Sequence, residues 1–240
     1  MSPDNKTLGE RLRTMDWNEV EHSLSELGYA KTRALLTADE CDKLAALYGD
    51  DTLFRSTIEM ERYRFGVGEY RYFRYPLPPL VSEFRTHAYS YLAPIANRWA
   101  EALKRSVQFP RSLRDFLGAC HERQQTRPTP LLLRYATGGY NCLHQDIYGD
   151  IAFPLQLACF LSRPEVDYGG GAFLLVEQRP RNQSRGEAIV PGQGEMVVFP
   201  NSWRPVPGRR GYYRVTMRHG TSRLTWGSRY TLGIIFHDAK

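Results

Sequence analysis

Tyr140-Asn141-Cys142-Leu143-His144-Gln145-Asp146 is the stretch around which the 240-residue chain is organised. His144 and Asp146 stand two apart. On an extended backbone both side chains leave the same face. A neutral imidazole beside a carboxylate offers two ligands to a divalent metal. The third ligand expected is His219, in Arg218-His219-Gly220, on another predicted strand. Further along comes Gly227-Ser228-Arg229-Tyr230-Thr231-Leu232-Gly233. Strand alternation puts Arg229, Thr231 and Gly233 on one face, and Leu232, Ile234 and Phe236 on the other. A guanidinium fork beside a hydroxyl can hold a carboxylate by a bidentate pair plus one more hydrogen bond. The small Gly233 leaves room for what is held.

Outward from these motifs the chain divides by texture. From Leu131 it reads as short strands, at about 131–136, 141–147, 152–162, 171–177, 187–190, 195–200, 213–224 and 229–236. Gly138-Gly139, Gly169-Gly170-Gly171, Pro191-Gly192, Pro207-Gly208 and Trp226-Gly227 punctuate them. Residues 1–130 read as mainly helical. Trp17, Val20, Leu24 and Leu27 keep a helical spacing, and Thr37-Ala38-Asp39-Glu40 is a capping box opening a helix to about Tyr48-Gly49. Residues 54–75 are aromatic, Arg-rich and irregular or strand-like. Leu80 to Leu103 is the longest helix candidate, with a kink expected near Pro94, and a short helix follows from Ser112 to about Glu122. Strands after a helical segment suit an α+β fold: a double-stranded β-helix, or jelly roll of the cupin type, backed by an N-terminal helical layer. The expectation is one domain over 1–240, its helical part (1–130) packed on a jelly-roll core (131–240). The mouth of such a barrel is a natural small-molecule site.

Composition excludes some alternatives. Hydrophobic residues make up 42% and charged residues 24%, ordinary for a globular protein. No apolar run reaches the roughly 20 residues of a membrane span. The polar start, Ser2-Pro3-Asp4-Asn5-Lys6, shows no secretory signal. Cys41, Cys120, Cys142 and Cys159 lack paired metal spacing and read as reduced thiols of a cytoplasmic protein. The net charge of +6 is uneven. Residues 1–130 carry 19 basic against 18 acidic groups, and residues 131–240 carry 13 against 8, every basic group there but Lys240 being Arg. That bias is milder than the dense stripe of a dedicated DNA binder.

His144-x-Asp146, then His219, then Arg229-x-Thr231 resembles the pattern of the Fe(II)/2-oxoglutarate-dependent dioxygenases. The chain is most similar to a bacterial group of such oxygenases, distantly similar to prolyl hydroxylases, through Arg127–Tyr135, Tyr140–Asp146, Glu177–Arg181 and Leu232–Ala239. The resemblance implies Fe(II) on His144, Asp146 and His219, with three positions free for co-substrate and oxygen. It implies 2-oxoglutarate chelating the metal and anchored by Arg229 and Thr231, with O2 consumed and succinate and CO2 released. Asp146 argues against halogenation, which in this superfamily leaves that position to chloride. Tyr135 is a further candidate for the same carboxylate, but by alternation only one of Arg134 and Tyr135 looks inward.

Other residues are weaker candidates. His237 is the rival third ligand, but Arg229 would then precede the ligand, against the family order. His22, His87 and His121 lie on predicted helices and read as ordinary packing or surface histidines. Gln156, Tyr140 and Trp203 are candidate pocket residues, and Cys142 shares the face of His144. Arg179 to Arg185 is the candidate substrate-facing loop, equally readable as a solvated connection. Three functions remain open: hydroxylation of an amino-acid, peptidyl or other small-molecule C–H bond; oxidative repair of alkylated nucleic acid; and non-enzymatic binding by a jelly roll. The repair dioxygenases carry another Arg six residues after the 2-oxoglutarate Arg, where this chain has Ile235. The expected partner is a small or peptidyl substrate, with nucleic acid open and no membrane.

Overall fold

A computed structural model describes residues 6–240, so most of the polar start read for a leader lies outside the described residues. The chain runs α1 (Leu8–Arg13), α2 (Trp17–Glu26), β1 (Ala30–Lys31), α3 (Ala38–Ala46), β2 (Phe54–Glu59), β3 (Gly66–Val67), β4 (Glu69–Phe73), α4 (Pro79–Ala102) and α5 (Leu113–Glu122). Then come β5 (Leu131–Ala136), β6 (Tyr140–His144), β7 (Leu155–Phe160), β8 (Tyr168–Gly170), β9 (Phe173–Arg179), β10 (Gln183–Ile189), β11 (Met196–Pro200), β12 (Trp203–Gly208), β13 (Gly211–Thr221) and β14 (Leu224–Ile234).

The strands form two antiparallel sheets. The major sheet has the order β1-β11-β7-β14-β5-β4-β2, with β8 also on β14, and the minor sheet β10-β9-β13-β6-β3, with β12 also on β13. This is the expected jelly roll. Alternation sorts the major sheet's side chains cleanly. Leu132, Leu155, Leu157, Cys159, Leu232, Ile234 and Phe236 point to the helical layer, where they join Val81, Phe84, Tyr89, Leu92 and Phe116 in one apolar cluster. Ala158, Phe160, Val197 and Phe199 point the other way, against Phe173, Leu175, Val215 and Met217 of the minor sheet. The major sheet is therefore buried on both faces, which is why β7 is buried at every position.

Local chemistry fixes the helices. Thr37 accepts from the Glu40 amide, and the Glu40 carboxylate takes the Thr37 amide at 2.8 Å, the capping box read from sequence. The same carboxylate meets Arg11 at 2.7 Å and ties α1 to α3. Helix α4 opens on Pro79, where a missing amide costs nothing, and continues through Pro94. Arg85 on α4 donates to the Ile235 and Phe236 carbonyls and to Asp238 Oδ1 at 2.9 Å, pinning the chain's end to the helical layer.

Four expectations need correction. Residues before 131 hold all five helices but also β1–β4, and β2 and β4 extend the major sheet beside β5. Residues 69–73 take the strand form read for this stretch, with the Tyr70 and Tyr72 rings packed on Leu133 and Leu131 of β5. The strand expected over 141–147 ends at His144, so Asp146 sits in the segment that follows. Strand β12 was missed because Pro205 and Pro207 argue against a strand. It survives as an edge strand, pairing only with β13. Finally, Arg179 to Arg185 is no free loop. It is the tip of the β9–β10 hairpin, turning at Arg181 and Asn182 with positive φ. Arg179 and Arg185 reach Glu177, and Arg185 also donates to the Leu27 carbonyl, away from the barrel mouth.

Candidate active site

Between the sheets, at the open end, lies a cavity of about 360 Å3. On its minor-sheet side the structure brings His144, Asp146 and His219 together, with one potential ligand atom from each within 4.8 Å of the others. The pairing explains how. His219 stands directly opposite His144 in the β13–β6 register, and their rings lie 4.2 Å apart. The Gln145 side chain donates to the Ser202 and Met217 carbonyls, holding the segment after β6 against the neighbouring strands. Asp146 then swings its carboxylate to the two rings, with Oδ2 3.1 Å from His219 Nε2 and Oδ1 3.6 Å from His144 Nε2. His144 Nδ1 donates to the Cys142 carbonyl at 2.8 Å, so its Nε2 lone pair faces the cluster.

The electrostatics suit a cation site. Burial alone would raise the Asp146 carboxyl, but the His219 and His144 imidazoles and the hydroxyl of Tyr148, 2.6 Å from Oδ1, hold it well below the usual carboxylate range. His219 is pushed down, first by burial and then by His144. The result is an ionised carboxylate beside a ring kept neutral, the protonation states that metal ligation requires.

Across the cavity, the major sheet presents Arg229, Thr231 and Tyr135. Arg229 and Tyr135 are cross-strand partners in the β14–β5 register. Arg229 is 1% exposed, and its guanidinium donates to the Gly171 carbonyl and to Thr221 Oγ1 at 3.0 Å. It lies near three rings, 5.1 Å from Tyr135, 5.4 Å from Phe160 and 5.9 Å from Tyr168. Among the described residues no carboxylate pairs with it, and burial depresses its pKa. Arg229 Nε, Thr231 Oγ1, the Tyr135 hydroxyl and Gln156 Nε2 are all buried without a hydrogen-bond partner. A buried cation without an anion and three orphaned polar groups on one wall are costly unless a ligand satisfies them. A dicarboxylate fits that demand, with one end at the His-Asp-His cluster and the other at Arg229.

The structure places the sequence candidates His144, Asp146, His219, Arg229, Thr231, Tyr135 and Gln156 together on the lining of this cavity. Arg134 is exposed, so Tyr135 is the inward member of that pair. Two candidates do not line it: Tyr140, and Trp203, which borders a separate cavity. His237 is also outside the cluster. It is fully buried, and its Nδ1 accepts from the Phe153 amide at 3.2 Å. Sequence reading missed Tyr148, although His144, Asp146 and Tyr148 continue one two-residue alternation. It also missed the cavity lip, where Arg64 and Phe65 line the opening and the Phe65 ring stacks on Tyr63 (centroids 5.6 Å apart).

Comparisons with known proteins agree with this geometry. Residues 68–239 match the model of a family described as "Oxygenase, catalysing oxidative methylation of damaged DNA". The chain belongs to this oxygenase family. Two uncharacterized proteins of Mycobacterium tuberculosis strains are each 49% identical over 164 residues, 68% of this chain and 70% of theirs. Among solved structures, a 2OG-Fe(II) oxygenase family oxidoreductase from Burkholderia pseudomallei matches with TM-score 0.55 and 12% identity, over 94% of this chain and 93% of that one. A Pseudomonas putida prolyl-4-hydroxylase matches with TM-score 0.51 and 14% identity, over 98% and 100%. A Trichoplax adhaerens prolyl hydroxylase, solved with a hypoxia inducible factor peptide fragment, matches with TM-score 0.50 and 16% identity, over 99% and 96%. These structures share the fold. An oxygenase takes O2 as a substrate, and His144, Asp146 and His219 offer this one a place for a metal ion. No described helix is long and apolar enough to cross a membrane.

Proposed function

We propose that this oxygenase removes an alkyl group oxidatively from a damaged nucleobase. In this reading His144, Asp146 and His219 ligate Fe(II), and Arg229, Thr231 and Tyr135 hold the far carboxylate of 2-oxoglutarate. The observation that carries the cofactor assignment is the buried, anion-free Arg229 facing the His-Asp-His cluster across one cavity. The substrate assignment rests on the family's description and on the lip. Tyr63 and Phe65 are 50% and 47% exposed, with Arg62 before them and Arg64 between them in the chain. Exposed aromatic rings interleaved with arginines suit bases and phosphates of a single strand.

Bound Fe(II) and 2-oxoglutarate supply O2 activation: one oxygen atom enters a substrate C–H bond, and the other leaves in succinate as CO2 is released. The chain's own residues arrange this chemistry. Tyr148 fixes the Asp146 carboxylate by donating to Oδ1. Phe199, 4.8 Å from His219 between centroids, packs the third ligand in place. Tyr70, Tyr72, Leu131, Leu133 and Ile235 give the remaining wall an apolar surface that excludes water. An N-methyl group hydroxylated there collapses to the free amine and formaldehyde. Ile235 stands on this wall where the repair dioxygenases carry a second arginine, a departure that counts against a close match to those enzymes. The four unpaired thiols fit a reducing cytoplasm.

Hydroxylation of an amino-acid or peptidyl side chain is the second reading, since the small apolar cavity would also admit a side chain. Two experiments separate them. Anaerobic titration with Fe(II) and then 2-oxoglutarate should give the visible charge-transfer band of chelated iron, lost in His219→Ala. Formaldehyde and succinate should then form with N-methylated single-stranded oligonucleotides. Succinate formed with peptides alone would replace the nucleic-acid reading with the second.

A further inference from the structure

A second cavity, of about 480 Å3, lies on the other side of the segment that carries Asp146. Gln145 borders both cavities; His144 lines the first and Ile147 the second. We propose that this second cavity is a subsite for the nucleotide that flanks the oxidised base in a single strand. The inference rests on the nucleic-acid reading of the active site.

Three side chains give the cavity its chemistry. Trp203 on β12 stands directly opposite Thr216 of β13, so its indole lies on the outer face of the minor sheet, and Arg214 follows two residues along that same face. Arg105, just beyond α4, sets its guanidinium carbon 4.9 Å from the Trp203 ring centroid. Neither Arg105 nor Arg214 forms an ion pair among the described residues. Asp150, the acid on the rim, is taken by Lys240 at 2.8 Å. The cavity thus offers a partly buried indole, packed on the apolar core and met by the Arg105 guanidinium, and two guanidiniums without an acid partner. Val107 and Ile147, 37% and 55% exposed, complete an apolar rim.

This set matches a ring joined to an anion. The indole supplies a stacking plane for any base, and the guanidiniums supply phosphate contacts. Continuity favours a polymer over a free anionic ring. A strand with one base in the first cavity passes Gln145 directly into the second. The lip at Phe65 and the Trp203 cavity then bracket the target base from two directions.

The test is anisotropy of a labelled, unmodified single-stranded oligonucleotide, titrated with the Fe(II)- and 2-oxoglutarate-loaded protein held without oxygen. Trp203→Ala should weaken binding about tenfold, as expected for losing one stacked base. Arg105→Gln with Arg214→Gln should reduce the slope of log affinity against log salt by about two. Both arginines are exposed and unpaired, so the double variant tests binding rather than folding, and the charge-transfer band reports an intact site in each protein. Parental affinity and slope in all variants overturn the inference. Turnover of a methylated oligonucleotide separates the two proposals. Binding that depends on Trp203 without any oxidation sinks the repair reading and leaves the subsite. Oxidation indifferent to Trp203 and to both arginines does the reverse.

Discussion

Arg229→Met is the substitution that tests the cofactor site most directly. The guanidinium is buried, donates to the Gly171 carbonyl and Thr221 Oγ1, and keeps Nε without a partner. On the proposed assignment it makes two charge-assisted hydrogen bonds to the far carboxylate of 2-oxoglutarate. At the lower limit of about 1.5 kcal/mol each, they contribute about 3 kcal/mol, or roughly a hundredfold in affinity. Thermal unfolding reads this without turnover. At a 2-oxoglutarate concentration of about 100 times the parental Kd, linkage stabilises the parent by about 2.7 kcal/mol. For a chain of this size that is a Tm rise of about 5–10 °C. In the variant the same concentration only equals Kd, and the rise shrinks to about 1 °C. Without 2-oxoglutarate two effects oppose. Met loses the three ring contacts and two hydrogen bonds, but it also relieves a desolvated charge, so the unliganded Tm should stay within a few degrees. Unchanged 2-oxoglutarate stabilisation in Arg229→Met would refute the assignment, because the carboxylate would then be held elsewhere.

Other positions give independent checks. Tyr148→Phe removes the 2.6 Å hydrogen bond to Asp146 and should weaken Fe(II) binding about 10- to 100-fold; equal affinity in an anaerobic metal titration would show that Tyr148 does not orient the carboxylate. Glu177→Ala strands Arg204, a buried cation held at 2.8 Å by that carboxylate, and should cost about 3–5 kcal/mol in a urea titration. A loss under about 1 kcal/mol would mean that the Ser25 carbonyl already satisfies Arg204. His237 is pushed down to about 4, first by burial and then by Arg85. The folded state then refuses a proton that the unfolded chain accepts below about pH 6.5, so stability is full above that pH and falls by up to about 3 kcal/mol as pH drops towards 4. His237→Asn should flatten that part of the denaturation profile. The depressed Asp146 loses stability in the same direction, but only below the ordinary carboxylate range.

Periodicity made the major sheet legible. Leu232, Ile234 and Phe236 alternate with Arg229, Thr231 and Gly233 because one face meets helices and the other the cavity, and a period of two records both facts. The same rule left Asp146 right for a partly wrong reason. Its strand ends at His144, and hydrogen bonds from Gln145 to two carbonyls, not a pleat, carry the carboxylate to the rings. Such tertiary bonds leave no period in a sequence. Strand β12 was hidden by its prolines, whereas the strand-like reading of residues 54–75 holds for β2 and β4, of which β4 finds its partner on β5 some 60 residues away. The Arg179–Arg185 stretch reads equally as a substrate-facing loop or a solvated connection, and it is the connection between β9 and β10. Charge and proline suggested a loop for ligands, whereas Glu177 buried beneath it claims two of its arginines.

The split of the site between two sheets has a physical consequence for what it accepts. The proposed iron ligands stand on β6 and β13 of the minor sheet and on the segment that follows β6. Arg229, Thr231 and Tyr135 stand on β14 and β5, on the major sheet. Facing sheets pack about 10 Å apart. Side chains from both reach inward and leave between them a gap that a five-carbon dicarboxylate can bridge. A shorter acid that chelates the metal would stop short of Arg229 and leave its charge uncompensated. Discrimination then comes from the cost of that unpaired guanidinium rather than from a steric gate. The sheet spacing that builds the core therefore also sets the length of the co-substrate. Substitutions that shift β14 against β6, such as enlarging Gly233 against the Leu131 side chain, should change preference among dicarboxylates before they unfold the protein.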